Sequence, residues 1–223
     1  RHFLNVLYIA VHEVPGYTDC VAARSQVETP AFQQELERLR ATDYVDYQGV
    51  ARAKLPVLRA LYEHFRGSEL DRDTDLARAF RAFQRERGEP LRRQALHDAI
   101  DAHLRPQDPD RYWGWPAWPE ALRDPAGAGA REFEERHRVE VEFQAWLQWV
   151  ADRQLAAAQR LARELGMPIG LYGDYAVGVN PSGAETWSDQ HVYRMGAGVG
   201  APPDPLALKG QDWGIPPQDP HAL

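Results

Sequence analysis

The amino-acid sequence predicts an α/β fold in which part of a parallel α/β barrel carries a large, mainly helical region. One observation is that residues 30–104 place apolar residues at helical spacing in successive stretches. The other lies near the end of the chain, where a long helical pattern stops at Gly166, a short apolar run covers 168–172, and Asp174 follows. A helix, a buried strand, an acid at its carboxyl end and then a long loop is the order in which parallel barrels build their sites.

The predicted helices follow from the apolar spacing and from the residues that begin or end each stretch. Thr29 and Pro30 are a typical cap and first position for the first helix. Pro56 predicts a kink or a boundary within the second helix, and Gly67 predicts its end. Gly88 separates the third helix from the fourth. The predicted helices begin at residue 30 and then cover 47–65, 74–87, 89–104 and 130–165.

Three features have more than one interpretation. The apolar run over residues 3–10 is either a strand or an extended packing segment. Asp174 lies either at the rim of a barrel strand or in a turn that it caps. The seven tryptophans could line a sugar site, but we expect most of them to be packing residues.

Charge and cysteine usage exclude several classes of function. A net charge of −7, with acids and bases intermixed, argues against nucleic acid or an anionic membrane as a partner. No apolar run approaches the roughly 18 residues of a membrane span. Cys20 is the single cysteine, which excludes an intrachain disulfide and predicts a reducing cytoplasm. The histidines show no metal-binding spacing, and the glycines of 196–200 open no helix, so we expect neither a metal nor a nucleotide.

Several motifs occur in series along almost the whole chain. They are LNVLYI (4–9), WGWP (113–116), WLQW (146–149), GLYGDYAVGV (170–179), GAETWS (183–188), GVGAPPDP (198–205) and GQDWGIPP (210–217). Together they resemble the amylomaltase, or 4-alpha-glucanotransferase, family of glycoside hydrolase family 77. The chain departs from the family pattern at Gly173, where relatives commonly carry Arg, and at Val6, where they carry Pro.

The resemblance implies a (β/α)8 barrel with subdomains inserted in its loops. It divides the chain into four segments, of which 1–29 is a barrel segment and loop and 30–129 is a helical insertion subdomain. Residues 130–175 are then the long helix and a barrel strand, with 167–175 as the third strand. Residues 176–223 supply the loops of the substrate cleft.

The resemblance also implies substrate-binding residues. Asp174 follows the third strand and lines the donor-sugar pocket. Residues 198–209, which include Pro202 and Asp204, form a flexible loop over the cleft, and Gln211 and Trp213 contact the glucan near the cleavage point. The implied partners are maltodextrins and other alpha-1,4-glucans.

The chemistry implied is retaining transglycosylation, which uses two carboxyl groups about 5 Å apart and needs no metal or organic cofactor. The motifs that carry the nucleophile and the acid/base in the family do not occur in these 223 residues. We therefore assign no catalytic residue here and expect the chain to be an internal piece of a longer enzyme, inactive by itself.

Two other functions are compatible with the residues. One is a non-catalytic maltodextrin-binding module built on the loop aromatics and Asp174. The other is a helical interaction scaffold in which residues 30–165 are the functional part. An Arg-x-Asp motif beyond residue 223 would favour the enzyme.

Overall fold

The computed structural model describes residues 3–174 and 176–222 and is mostly helical. The helices within this part of the chain are α1 (Val21–Val27), α2 (Pro30–Arg40), α3 (Tyr47–Ser68), α4 (Asp75–Leu104), α5 (Glu120–Arg123), α6 (Ala128–Arg136), α7 (Arg138–Glu164) and α8 (Ala184–Ser188). The strands β1 (Val199–Ala201) and β2 (Gln211–Ile215) form a two-stranded antiparallel sheet. Short 3-10 helices cover Val6–Tyr8, Val11–Glu13, Leu70–Arg72 and Trp115–Ala117.

The described residues divide into two compact units. Unit 1 contains Phe3 and the described residues of 88–144 and 173–222, whereas unit 2 contains 4–87 and 145–172. Helices α4 and α7 each contribute residues to both units. The sheet belongs to unit 1, whereas unit 2 consists of helices and irregular segments.

Most of the predicted helices are confirmed with their caps. The Thr29 hydroxyl accepts a hydrogen bond from the Phe32 amide at 3.3 Å and begins α2 at Pro30. Within α4, Gly88 has φ 53° and ψ −139°, so two helical segments meet there as predicted. The end predicted at Gly67 is wrong, because α3 continues through both Pro56 and Gly67. Its buried apolar face on either side of the proline outweighs the one missing hydrogen bond.

The single long helix predicted over 130–165 is wrong, because His137 separates α6 from α7. His137 has φ −117° and ψ 32°, and its amide donates to the Phe133 carbonyl at 2.9 Å, which closes α6. Its carbonyl accepts from the amides of Glu140 and Val141, at 2.9 and 3.1 Å, which starts α7. One residue thus serves both helix ends.

A cluster of five aromatic side chains forms the centre of unit 2. All five are buried, and neighbouring ring centroids lie 5.4–5.9 Å apart in tilted or edge-on arrangements. The cluster consists of Tyr62, Phe65, Phe80, Trp146 and Trp149. The apolar spacing that predicted α3, α4 and α7 therefore marks a real core.

The N-terminal segment of unit 2 packs as an extended segment with short 3-10 turns, not as a strand. The Gln148 side chain bonds both the amide and the carbonyl of Leu4, at 2.9 and 3.0 Å. Gln154 does the same for Ala10, at 2.8 and 2.9 Å. Lys54 donates to two carbonyls between them, and burial lowers the pKa of its amine. Side chains thus satisfy the backbone groups that a sheet would otherwise pair.

The barrel strand predicted over 168–172 is wrong for this chain, because these residues form bends and irregular coil. A parallel strand needs hydrogen-bonded neighbours, and the sheet among the described residues consists only of β1 and β2. Ile169 and Tyr172 are accordingly 74% and 86% exposed. The Leu171 amide instead donates to the Gln159 side chain at 2.6 Å. Tyr175, the last residue of the strand predicted over 167–175, lies outside the described residues.

Each helix in the described part of the chain is too short or too polar to cross a membrane.

Candidate functional site

Four of the predicted substrate-binding residues belong to the β1–β2 hairpin of unit 1. Gln211 and Trp213 lie on β2, and Pro202 and Asp204 lie in the loop between the strands. Gly200 pairs with Asp212 and Ala201 with Gln211, with a register shift between Val199 and Gly200. A Cβ on Gly200 would lie 1.8 Å from the Gln211 carbonyl oxygen, so only glycine permits this close approach.

Gln211 and Trp213 stand on one face of β2 because side chains two residues apart share a face of a strand. The Trp213 indole N–H donates to the Gln211 side-chain oxygen at 2.9 Å. Trp213 is 45% exposed, so much of its ring is open to solvent. The pair offers an indole surface beside a polar amide, which suits a ligand with both apolar and hydroxyl-bearing faces.

The loop between the strands contains Pro202 and Asp204, both exposed. The Asp204 carboxylate accepts hydrogen bonds from the amides of Leu206 and Ala207, each at 2.7 Å. Asp204 thereby shapes the loop that it belongs to. Leu206 and Leu208 are almost completely exposed at its tip.

A second antiparallel contact anchors the base of the hairpin. Tyr193 and Gln218 form a bridge, and the Arg194 amide donates to the Pro217 carbonyl at 2.9 Å. The Arg194 guanidinium also pairs with the carboxylate of Asp219, which is buried. The hairpin is therefore held at its base while its tip projects into solvent.

Asp174 belongs to unit 1 and is exposed. Four residues later, Gly178 lies against β2, where an added Cβ would stand 2.1 Å from the Ile215 side chain. The segment that follows Asp174 is thus packed against the strand that carries Gln211 and Trp213.

Helix α8 is tied to the rest of unit 1 by two buried indoles, a feature that sequence reasoning did not assign. The Trp115 N–H donates to the Thr186 hydroxyl at 3.0 Å, and the Trp187 N–H donates to the Leu122 carbonyl at 3.0 Å. Thr186 is fully buried and directs its own hydroxyl to backbone carbonyls of 180–183. Five of the seven tryptophans are buried, so the expectation that most of them are packing residues is confirmed.

A cleft of about 330 Å³ lies between α4 and α8 within unit 1. Arg93 lines it and bonds Glu89 at 2.9 Å and the Ser188 carbonyl at 2.8 Å. A hydrogen bond from Arg92, opposed by partial burial, lowers the pKa of the Glu89 carboxyl. Glu89 therefore stays ionised at neutral pH and is unsuited to act as a general acid. No sequence motif pointed to this cleft.

The described residues contain no cluster of three or more His, Cys, Asp or Glu side chains that could hold a metal ion.

Comparison with known proteins identifies the group to which these features belong. The family described as 4-alpha-glucanotransferase matches residues 1–223. The chain belongs to this family. The resemblance recognised from its motifs is therefore confirmed.

Individual members of the 4-alpha-glucanotransferase family match throughout the chain. The 4-alpha-glucanotransferase of Haemophilus influenzae is 33% identical over 225 residues, which cover 100% of this chain and 32% of that protein. The enzyme of the same name from Mycobacterium bovis is 35% identical over 225 residues, covering 100% of this chain and 29% of that protein. The chain thus spans about a third of the length of these relatives.

Two solved amylomaltases share the fold of this glucanotransferase chain. The one from Corynebacterium glutamicum has a TM-score of 0.69 and 30% identity, over 99% of this chain and 28% of that one. The one from Streptococcus agalactiae, solved in complex with acarbose, has a TM-score of 0.72 and 17% identity, over 99% and 42%. The mainly helical arrangement is therefore that of part of an amylomaltase.

Proposed function

We propose that the chain is part of a 4-alpha-glucanotransferase that transfers alpha-1,4-glucan segments between maltodextrins. The observation that carries this proposal is the family match over the whole chain. The catalytic carboxylates lie outside these residues, in the remaining two thirds of the protein that the relatives' lengths imply. The reaction is a retaining double displacement in which a sugar hydroxyl replaces water as the second nucleophile.

In this proposal the β1–β2 hairpin binds the glucan chain. The exposed indole of Trp213 stacks on the apolar face of a glucose ring, and the Gln211 amide bonds a hydroxyl of the same sugar. Asp174 accepts hydrogen bonds from a neighbouring sugar. The complex of the Streptococcus agalactiae relative with acarbose supports a ligand-binding cleft in this family.

The loop with Pro202 and Asp204 covers the bound glucan. Its exposed leucines exclude water from the covalent intermediate, so that an acceptor sugar reacts in place of water. The internal hydrogen bonds of Asp204 preserve the loop shape while the loop opens and closes.

The whole protein in this proposal contains a (β/α)8 barrel completed by residues outside this chain. Residues 30–129 are its helical insertion, 130–175 lead back to the barrel, and 176–223 supply cleft loops. The solitary, buried Cys20 suits a reducing compartment, and we place the enzyme in the cytoplasm.

Incubation of the protein with its complete chain and maltotriose tests the activity. Transfer yields both glucose and maltodextrins longer than maltotriose. Formation of glucose and maltose alone would show hydrolysis. Binding of maltotriose without any product would favour the non-catalytic maltodextrin-binding module.

Trp213→Ala tests the role of the hairpin. Loss of the indole surface should weaken maltodextrin binding roughly fivefold, because an aromatic contact contributes about 1 kcal/mol. Isothermal titration with maltoheptaose measures the affinity. Trp113→Ala is the matched control, since Trp113 is 54% exposed in the same unit but lies outside the hairpin. Equal affinity in both variants would show that Trp213 does not contact the glucan.

A further inference from the structure

Two histidines from different helices meet on the surface of unit 1. His103 lies in the last turn of α4, and His137 lies at the junction of α6 and α7. Their ring centroids are 4.9 Å apart, with the ring planes inclined by 52°. Thirty-four positions separate them in sequence, which explains why histidine spacing did not reveal the pair.

One ring of the pair is fixed and the other is adaptable. The His137 ring stacks on Phe133, with centroids 4.2 Å apart and planes within 25°. Its backbone amide and carbonyl are both hydrogen-bonded, so its position is set from two sides. The His103 side chain is exposed, and its contact with Phe133 is edge-on, with the ring centroids 5.5 Å apart. It can therefore rotate about its last torsion to turn either nitrogen towards His137.

We propose that His103 and His137 form a two-histidine binding site for a divalent transition-metal ion. Imidazole nitrogens bind such ions at about 2.0–2.1 Å, which places the centroids of two rings on one ion about 5 Å apart. The separation of 4.9 Å matches this spacing. Water completes the coordination, since no third protein ligand is clustered there within the described residues.

The helix dipole favours a cation at His103. This residue stands at the carboxyl end of α4, where the dipole places partial negative charge. His137 lies between the carboxyl end of α6 and the first residue of α7, so two opposing dipoles meet there. Two neighbouring arginines are paired with carboxylates, Arg105 with Asp101 at 2.8 Å and Arg136 with Glu132. Arg138, which follows His137, is exposed to solvent, which screens its charge.

The donor set selects the metal. Imidazole suits copper, nickel and zinc, whereas magnesium and calcium prefer oxygen ligands. The general order of affinities places Cu²⁺ above Ni²⁺ and Zn²⁺. A bound ion would join the end of α4 to the α6–α7 junction and so stabilise unit 1 in the folded state.

Titration of the complete chain with Cu²⁺, followed by electron paramagnetic resonance, tests the site. We expect one ion coupled to two imidazole nitrogens, and a loss of affinity of at least about tenfold in His103→Ala and in His137→Phe. Phenylalanine at 137 keeps the stack on Phe133 but removes the ligand. Ni²⁺ at a hundredfold excess over its Kd should raise the Tm by roughly 5 °C in the parent protein and in neither variant.

His191→Ala is the control, because His191 is exposed in the same unit but belongs to no such pair. It should bind Cu²⁺ as the parent does. The proposal is overturned if both site variants retain the parent affinity while folded, as judged by circular dichroism. Coupling to a single nitrogen, or an equal loss in His191→Ala, overturns it as well.

Discussion

The Asp46 side chain caps the start of α3. Its carboxylate accepts a hydrogen bond from the Gly49 amide at 2.7 Å and pairs with Arg38 at 3.1 Å. A Cβ on Gly49 would lie 2.5 Å from the same carboxylate, so the glycine permits the close approach. The Gly49 amide, and then Arg38, lower the pKa of Asp46.

Asp46→Asn should remove a pH-dependent part of the stability. Because the pKa of Asp46 is lower in the folded than in the unfolded state, its charge stabilises the fold fully above the unfolded pKa of about 4. This contribution is lost as the pH falls through the lowered, folded pKa. The parent should therefore exceed the variant in free energy of unfolding at pH 7, and the difference should shrink in more acidic solution.

Urea denaturation at a series of pH values measures this difference. Asp43→Asn serves as the control, since Asp43 is an exposed acid three residues earlier that does not cap the helix. A gap between Asp46→Asn and the parent that stays constant with pH would contradict the expected role of the charge.

The candidate site could be predicted residue by residue only in part. The motifs around Gln211 and Trp213 identified them by resemblance, but the hydrogen bond between their side chains depends on the strand that places both on one face. The bonds of Asp204 to the amides of its own loop are a local pattern that its position before Pro205 and Leu206 favours. The roles of all three in substrate binding stay predictions.

At the scale of elements, helices were predictable because their hydrogen bonds join residues close in sequence. Strands were not predictable in this way, because their hydrogen bonds join distant residues. Thr29 and Gly88 marked helix ends that depend only on neighbouring residues. The strand expected over 168–172 would require partners that the described residues do not contain. The break at His137 escaped prediction because the apolar spacing continues across it, while the contact of its ring with His103 is tertiary.

Gly88→Ala should lower the stability of the protein by straining the backbone within α4. With φ 53° and ψ −139°, Gly88 occupies a region that is strained for any residue with a Cβ, at a cost of about 1–3 kcal/mol. An added Cβ would meet no atom within 4 Å, so the whole effect comes from the backbone. Thermal denaturation followed by circular dichroism measures it.

Gly67→Ala is the matched control, and we expect it to change the stability in the opposite direction. Gly67 is also exposed and an added Cβ would meet no atom there, but it lies within the helical α3. Alanine should stabilise this position by up to about 1 kcal/mol, because it loses less backbone freedom than glycine. Destabilisation by both substitutions alike would show that the conformation of Gly88 is not the cause.

At the scale of the whole molecule, sequence periodicity located buried residues but not their division into two units. Each unit is assembled from distant parts of the chain, so its boundaries depend on which apolar faces meet. Unit 2 gathers its aromatic cluster around Trp146, and unit 1 packs Trp118 against Trp187 and His97, with centroids 5.9 and 5.0 Å apart. Two separate cores predict two separately cooperative regions.

Trp146→Ala and Trp118→Ala test this division. Both side chains are completely buried, so each truncation should cost about 3–5 kcal/mol through lost burial and the cavity left behind. Native-state hydrogen exchange should then accelerate mainly in 4–87 and 145–172 for the first variant, and in 88–144 and 173–222 for the second. Trp113→Ala, which removes an exposed indole, should change neither pattern. If both buried substitutions accelerate hydrogen exchange at the same amides, the two cores unfold as one. An unchanged Tm for Trp146→Ala would contradict the place of Trp146 in a core.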